Sequence, residues 1–179
     1  MRNKFVAKIV LLGDGAVGKT SLKRRFVYKT FDPIEQMTIG ADFARVTLEL
    51  NDFQVILQIW DIAGQARYKE IATSYYRGAK GAMIAFDVTR ESTFQSIPKW
   101  ISMLVQNAGK IPFMLVGNKI DLVNERVVSK ERAEKYAESL SEWLGWNVPY
   151  METSAKTGEN VEESFLILAN NVLDISLGV

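Results

Sequence analysis

Gly13-Asp14-Gly15-Ala16-Val17-Gly18-Lys19-Thr20 follows an apolar run, Phe5 to Leu12, and opens a helical pattern at Lys19. A buried strand, a glycine-rich loop and a helix start, in that order, give a G-x-x-x-x-G-K-[ST] match its physical meaning. Glycines let backbone N–H groups turn to one side and form a concavity for phosphate oxygens. The helix start adds the positive end of its dipole. Lys19 supplies a point charge for the β- and γ-phosphates, and the Thr20 hydroxyl is a hard ligand for Mg²⁺. Ser21, the next residue, joins this phosphate-facing set. The competing reading is a plain glycine-rich turn before a helix.

The chain has 179 residues, enough for one well-buried α/β domain. Its net charge of +1 gives no electrostatic case for a nucleic-acid partner. It contains neither cysteine nor histidine. Thiol nucleophiles, disulfides, imidazole bases and ordinary zinc sites are therefore excluded. Any chemistry must use carboxylates, amides, hydroxyls, Lys, Arg or a hard cation. No apolar run reaches the length of a membrane span. Arg2 excludes N-myristoylation, and without cysteine no lipid anchor is expected on this chain.

Strand and helix patterns alternate, which predicts a mostly parallel sheet with helices on both faces. Val46, Leu48 and Leu50 alternate with Arg45, Thr47 and Glu49, a half-exposed edge strand. Asn51-Asp52 is a turn, and Val55–Trp60 returns beside that edge as an antiparallel neighbour. Ala82–Phe86 and Pro112–Val116 are short apolar runs suited to buried parallel strands. Pro98 predicts a break or restart in the helical stretch after Ser92. Ser129 is a candidate N-cap and Gly145 a candidate helix stop. Pro149–Thr153 is the last strand, and Val161, Phe165, Leu168 and Val172 mark a closing amphipathic helix.

Further signals sit at predicted strand ends. Asp61 closes the returning strand, a suitable place for a Mg²⁺ carboxylate. Gly64 can bring its N–H close to a γ-phosphate, and the Gln65 amide can orient an attacking water. Thr38 lies in an aperiodic stretch, Phe31 to Asp42, and can add a hydroxyl to Mg²⁺; a simple loop threonine is the alternative. Asn118-Lys119-Ile120-Asp121 follows the strand Phe113–Gly117. Asp121 can accept the two N–H groups of a guanine edge, whereas adenine would face it with a lone pair. The Lys119 stem can cover the base plane. Ser154-Ala155-Lys156 can offer N–H groups to guanine O6, and Phe31 is either a cover for the base edge or a core residue.

Taken together, these residues from Lys4 to Ser176 resemble a Ras-superfamily small GTPase. Thr38-Ile39-Gly40-Ala41-Asp42-Phe43, Ser74-Tyr75-Tyr76-Arg77-Gly78-Ala79 and Glu152-Thr153-Ser154-Ala155-Lys156 are most similar to the Rab family. The resemblance implies a single P-loop G domain over residues 1–179, with a six-stranded, mostly parallel sheet, one antiparallel edge strand and about five helices. It implies GTP/GDP and Mg²⁺ as ligands, with Thr20, Thr38 and Asp61 at the metal. Hydrolysis would rest on Gln65, Lys19, Thr38 and Gly64. Two mobile segments, about Phe31–Asp42 and Ile62–Gly78, would respond to the γ-phosphate. Effectors would dock through Thr38–Phe43, Trp60 and Tyr75, and an exchange factor and an activating protein would complete the cycle. A GTP-binding scaffold with negligible turnover and a P-loop kinase are the alternatives.

Some positions depart from the family pattern. Glu35 replaces an aromatic, Ala66 an acid and Ile62 a threonine. Ser141 to Val148, with Trp143 and Trp146, reads as an insertion that lengthens a helix; it either packs or forms a partner site. With no cysteine to carry a lipid, a cytoplasmic location is expected, peripheral to membranes only through a tail beyond Val179.

Overall fold

The computed structural model describes residues 3–34, 37–64 and 74–178. Six strands form one sheet: β1 (Asn3–Leu12), β2 (Ala41–Leu50), β3 (Phe53–Ile62), β4 (Gly81–Asp87), β5 (Phe113–Asn118) and β6 (Tyr150–Thr153). Their spatial order is β2-β3-β1-β4-β5-β6, with only the β2–β3 pair antiparallel. The described helices are α1 (Lys19–Tyr28), α2 (Glu91–Gln95), α3 (Ile97–Ala108), α4 (Lys130–Leu144) and α5 (Val161–Leu177).

Alternation along β1 builds both layers of the core. Ala7, Ile9 and Leu11 join Leu22 and Phe26 of α1 and Phe165, Leu168 and Val172 of α5. Val10 and Leu12 face the other way, toward Trp100, Ile101 and Leu104 of α3 and Ala137 and Leu140 of α4. Successive strand side chains point to opposite faces, so the buried second half of β1 feeds two helical layers. Phe26 and Phe165 stack at 4.3 Å with ring planes 7° apart, which fixes α5 against α1.

Local signals set the helix ends. The Ser129 hydroxyl accepts the Arg132 N–H at 3.2 Å, satisfying one free donor at the start of α4. Gly145 takes φ +78° and returns its N–H to the Ser141 carbonyl, stopping α4 after Leu144. Pro98 lies in the first turn of α3, so the restart reading of that helical stretch holds.

The edge strand β2 runs longer than side-chain alternation indicates. β2 begins at Ala41, not Arg45, because its ladder with β3 continues through Phe43 opposite Trp60 to Ala41 opposite Ile62. Ala41 and Asp42 therefore belong to a strand, although the sequence places them in an aperiodic segment. The two tryptophans of the 141–148 stretch separate: Trp146 packs against the α3–α4 layer, while Trp143 is 73% exposed. Among the described residues no helix is long and apolar enough to cross a membrane.

Register aligns the strand ends that matter. Leu11 stands opposite Asp61, and Asp87, Asn118 and Thr153 lie abreast across β4, β5 and β6. The loops that follow these strands emerge along one edge of the sheet, the edge at which open α/β sheets bind ligands. Phe165→Ala removes a stacked, fully buried ring and is expected to destabilise the fold by about 3–5 kcal/mol. Urea unfolding measures the loss as a lower midpoint with an unchanged slope.

Candidate active site

β1 delivers the chain to Gly13, whose φ of +140° only glycine adopts freely. A Cβ there would stand 2.2 Å from the Ala85 carbonyl oxygen, so the loop can cross β4 closely only as glycine. Ala16 (φ +61°) and Gly18 (φ +102°) add left-handed turns that fold backbone N–H groups inward. Lys19, almost fully buried, donates from Nζ to the carbonyls of Gly13 at 2.8 Å and Asp14 at 2.9 Å. Burial lowers its pKa to about 8, opposed by the charges of Asp61 and Asp14 and reinforced by Arg90.

Three oxygen-bearing side chains converge beside it. The Thr20 and Thr38 hydroxyls lie 2.9 Å apart, and Thr20 donates to Asp61 Oδ2. Asp61 is fully buried, and its Oδ1 has no hydrogen-bond partner. Burial pushes its pKa above the usual carboxylate range, against the Thr20 hydrogen bond and the charges of Lys19 and Lys23. A buried carboxylate with one oxygen unengaged, flanked by two hydroxyls, fits a hard divalent cation. No group of three acidic or imidazole side chains exists among the described residues to hold such an ion alone. The ion would therefore need oxygens from water or a phosphate as well, as Mg²⁺ ordinarily does.

Lys19, Thr20 and Thr38 line a cavity of about 570 Å³ that also takes in Gly15, Ala16, Gly18, Ser21 and Gly64, and Asp61 is joined to it through the Thr20 hydroxyl. Gly64 lies against the glycine-rich loop: a Cβ on it would come within 2.5 Å of Gly15 N and 2.6 Å of Asp14 C. Gln65, Glu35 and Ala66 lie outside the described residues.

Asn118, Lys119, Asp121, Ser154 and Ala155 gather at the far end of the same edge. The Asn118 side chain donates to the Val17 carbonyl at 3.0 Å and accepts from Thr153 Oγ1 at 3.1 Å and Ala155 N at 3.2 Å. It is a fastener between loops, with its polar atoms engaged by protein. Ser154 Oγ donates to Asp121 Oδ1 at 2.6 Å, fixing that carboxylate's rotation. The Ala155 and Lys156 carbonyls accept from Arg25 of α1, which anchors their loop. Phe31 is half-buried and packs against the α1–α5 layer.

Sequence reading missed four contributors. Asp87 at the end of β4 is buried and engages Thr89, Arg90 and Lys119. The rule that singles out Asp61, an acid closing an apolar strand, applies to Asp87 equally. Arg90 reaches the Gly15 carbonyl at 2.8 Å and Trp100 Nε1 reaches Asp14 Oδ1 at 2.9 Å. Lys23 is buried and paired with Asp42. No local pattern announces the last three, because their partners are distant in sequence.

The aromatics Phe43, Trp60 and Tyr75 form one run, with centroid separations of 5.1 and 5.9 Å. Lys8 Nζ lies 4.8 Å from the Trp60 ring, and its ammonium also donates to the Arg77 carbonyl. The run therefore braces β2 and β3 against the residues after 73, while Phe43 stays 45% exposed.

A model of the Ras family matches residues 8–174. Human Ras-related protein Rab-30 is 46% identical over 166 residues, spanning 92% of this chain and 79% of that protein. Human Ras-related protein Rab-8B is 42% identical over 170 residues, 94% of this chain and 79% of its own length. Ras-related protein Rab-7a of Dictyostelium discoideum is 40% identical over 183 aligned positions, 99% of this chain and 88% of its own.

Asn118→Ala strips the buried partners from Val17, Thr153 and Ala155 together. It is expected to cost about 1–3 kcal/mol in urea unfolding of nucleotide-free protein.

Proposed function

The chain belongs to the Ras family, as a Rab-like small GTPase of membrane trafficking that hydrolyses GTP to GDP and phosphate, and from that premise we propose how its own residues do so. One domain over residues 1–179 carries the site. The observation that supports this reading is the convergence of Lys19, Thr20, Thr38 and Gly64 on one cavity, with Asp61 hydrogen-bonded to Thr20 beside it. Asn118 fastens the base-side loops to the same glycine-rich loop.

In this proposal the N–H groups of residues 14–19 cradle the β- and γ-phosphates, and Lys19 adds its charge. Thr20, Thr38 and Asp61 would hold Mg²⁺, which would supply positive charge to the phosphate oxygens when bound. The Gly64 N–H donates to the γ-phosphate. Gln65 orients the water that attacks in line with the leaving oxygen. Asp121 accepts the guanine N–H pair, held for that contact by Ser154. Lys119 lies over the base, and the N–H groups of Ala155 and Lys156 face its O6. Phe31 closes the base edge. Adenine would leave the Asp121 carboxylate opposite a lone pair, an unpaired buried charge that disfavours it.

Hydrolysis converts the occupant of the cavity, and Thr38 and Gly64 touch both it and the segments that carry them. The exposed side chains of Ile39 and Phe43, with Trp60 and Tyr75, offer effectors an apolar face. An exchange factor and an activating protein act on the same segments. Among the described residues no helix is long and apolar enough to cross a membrane.

Denaturing the purified protein and separating the released nucleotide by ion exchange is expected to give GDP at about one per chain. ATP or ADP there would overturn the guanine assignment. Gln65→Leu is expected to lower single-turnover hydrolysis by about 10- to 1,000-fold with GTP affinity retained; an unchanged rate removes Gln65 from the mechanism. Asp121→Asn is expected to weaken GDP binding by about 1–3 kcal/mol in a titration.

A further inference from the structure

Arg90 follows the β4 end and directly precedes α2. Its guanidinium bridges two elements: Nε donates to Asp87 Oδ2 at 3.2 Å, and Nη2 donates to the Gly15 carbonyl at 2.8 Å. Asp87 is itself held. Its Oδ1 accepts from Thr89 N at 2.9 Å and Thr89 Oγ1 at 2.6 Å, and its Oδ2 lies 3.1 Å from Lys119 Nζ. The planar fork of an arginine transmits that fixed position to its far nitrogen, as a single-point ammonium cannot.

The bond to Gly15 has a consequence two atoms away. A trans peptide is planar, so the carbonyl of Gly15 and the N–H of Ala16 point in opposite directions. With the carbonyl drawn outward to Arg90, the Ala16 N–H is directed to the opposite, concave side of the loop, where Gly15 and Ala16 line the cavity. Ala16 takes φ +61°, a conformation that a residue with a Cβ adopts only when its surroundings hold it there. A charged donor on the carbonyl also polarises the amide and makes its N–H a stronger donor. Trp100 pins the neighbouring Asp14 side chain from the same outer face.

We propose that Arg90 is a positioning residue for GTP hydrolysis, acting through the Gly15 carbonyl to hold the Ala16 N–H on the oxygen between the β- and γ-phosphates. This rests on the nucleotide reading above. Negative charge grows on that leaving oxygen as the γ-phosphoryl group departs, so a fixed donor there gains strength in the transition state. An interaction that grows in the transition state raises the rate more than it raises ground-state affinity. Arg90 therefore acts on turnover and only weakly on binding. Its side chain is 42% exposed, and so its removal leaves no buried cavity.

The test compares wild type, Arg90→Ala and Arg90→Lys, each loaded with GTP and Mg²⁺. Arg90→Ala is expected to slow single-turnover hydrolysis by about 10- to 100-fold, with GDP and GTP affinities within about threefold. The ³¹P resonance of the β-phosphate in bound GDP is expected to move, reporting the changed donor without any turnover. Methylguanidinium added to Arg90→Ala is expected to restore part of the rate, and Arg90→Lys to fall between the two. Hydrolysis within twofold of wild type, or rate, affinity and unfolding midpoint falling together in both variants, would overturn the proposal. A wild-type protein that fails to bind GTP would instead overturn the nucleotide reading, and the two failures are distinct.

Discussion

The carboxamide of Asn118 is the joint on which the site depends. One side chain fastens the loop after β1, through Val17, to the residues that follow β6, through Thr153 and Ala155. A buried amide is costly unless its donor and acceptor are both engaged, so the three contacts stand or fall as a set. The same joint dictates residue 18. A Cβ on Gly18 would sit 2.2 Å from Asn118 Nδ2, so the glycine and the asparagine are two halves of one constraint. The curvature of the glycine-rich loop and the placement of the loops after β5 and β6 are thereby a single geometry.

Around that joint the charges are arranged at a cost to the free protein. Lys19 is buried enough for its pKa to fall to about 8, and Asp61 is buried with one oxygen unengaged and its pKa raised. Elsewhere in a fold, incompletely paired buried charges are a liability. Their concentration beside one cavity supports the proposed function, in which a ligand's phosphates and a divalent cation would supply the missing partners. Asp87 shows the opposite solution. It is equally shielded, yet hydrogen bonds from Thr89 and Lys119 outweigh burial and hold its carboxyl below the usual range. One acid keeps an oxygen unengaged, and the other is engaged in holding the protein together.

The segment between α1 and β2 is tied at both ends. Arg24 approaches Asp32 at 3.6 Å, and Lys23 pairs with Asp42 at the start of β2. Between these ties Thr38 meets Thr20 beside Asp61, while Ile39, next in sequence, is 72% exposed. Thr38 and Ile39 both border the cavity, and Ile39 also presents its side chain to solvent. A hydroxyl beside Asp61 and an exposed apolar side chain are thus one peptide unit apart.

The fold class was legible in the sequence because its signals are local. Apolar runs of strand length, Ser129 and Gly145 at the ends of α4, and the Asn51-Asp52 turn each act within a few residues. The residues of the candidate site were legible for the same reason, since Lys19, Thr20, Asp61 and Asn118 belong to short motifs at strand ends. The extension of β2 to Ala41 was not, because side-chain alternation ends at Arg45 while backbone pairing with β3 does not. Nor was the work of Asn118 as a fastener, of Arg90 on Gly15, or of Trp100 on Asp14, contacts that join residues 101, 75 and 86 positions apart. The sequence by itself determined which side chains could bind phosphate, cation and base, since that follows from residue type and near-neighbour spacing. Only the tertiary structure decided which of them face the cavity and which hold the loops that do. That choice depends on strand register, and register is fixed by the packing of the whole sheet between its two helical layers.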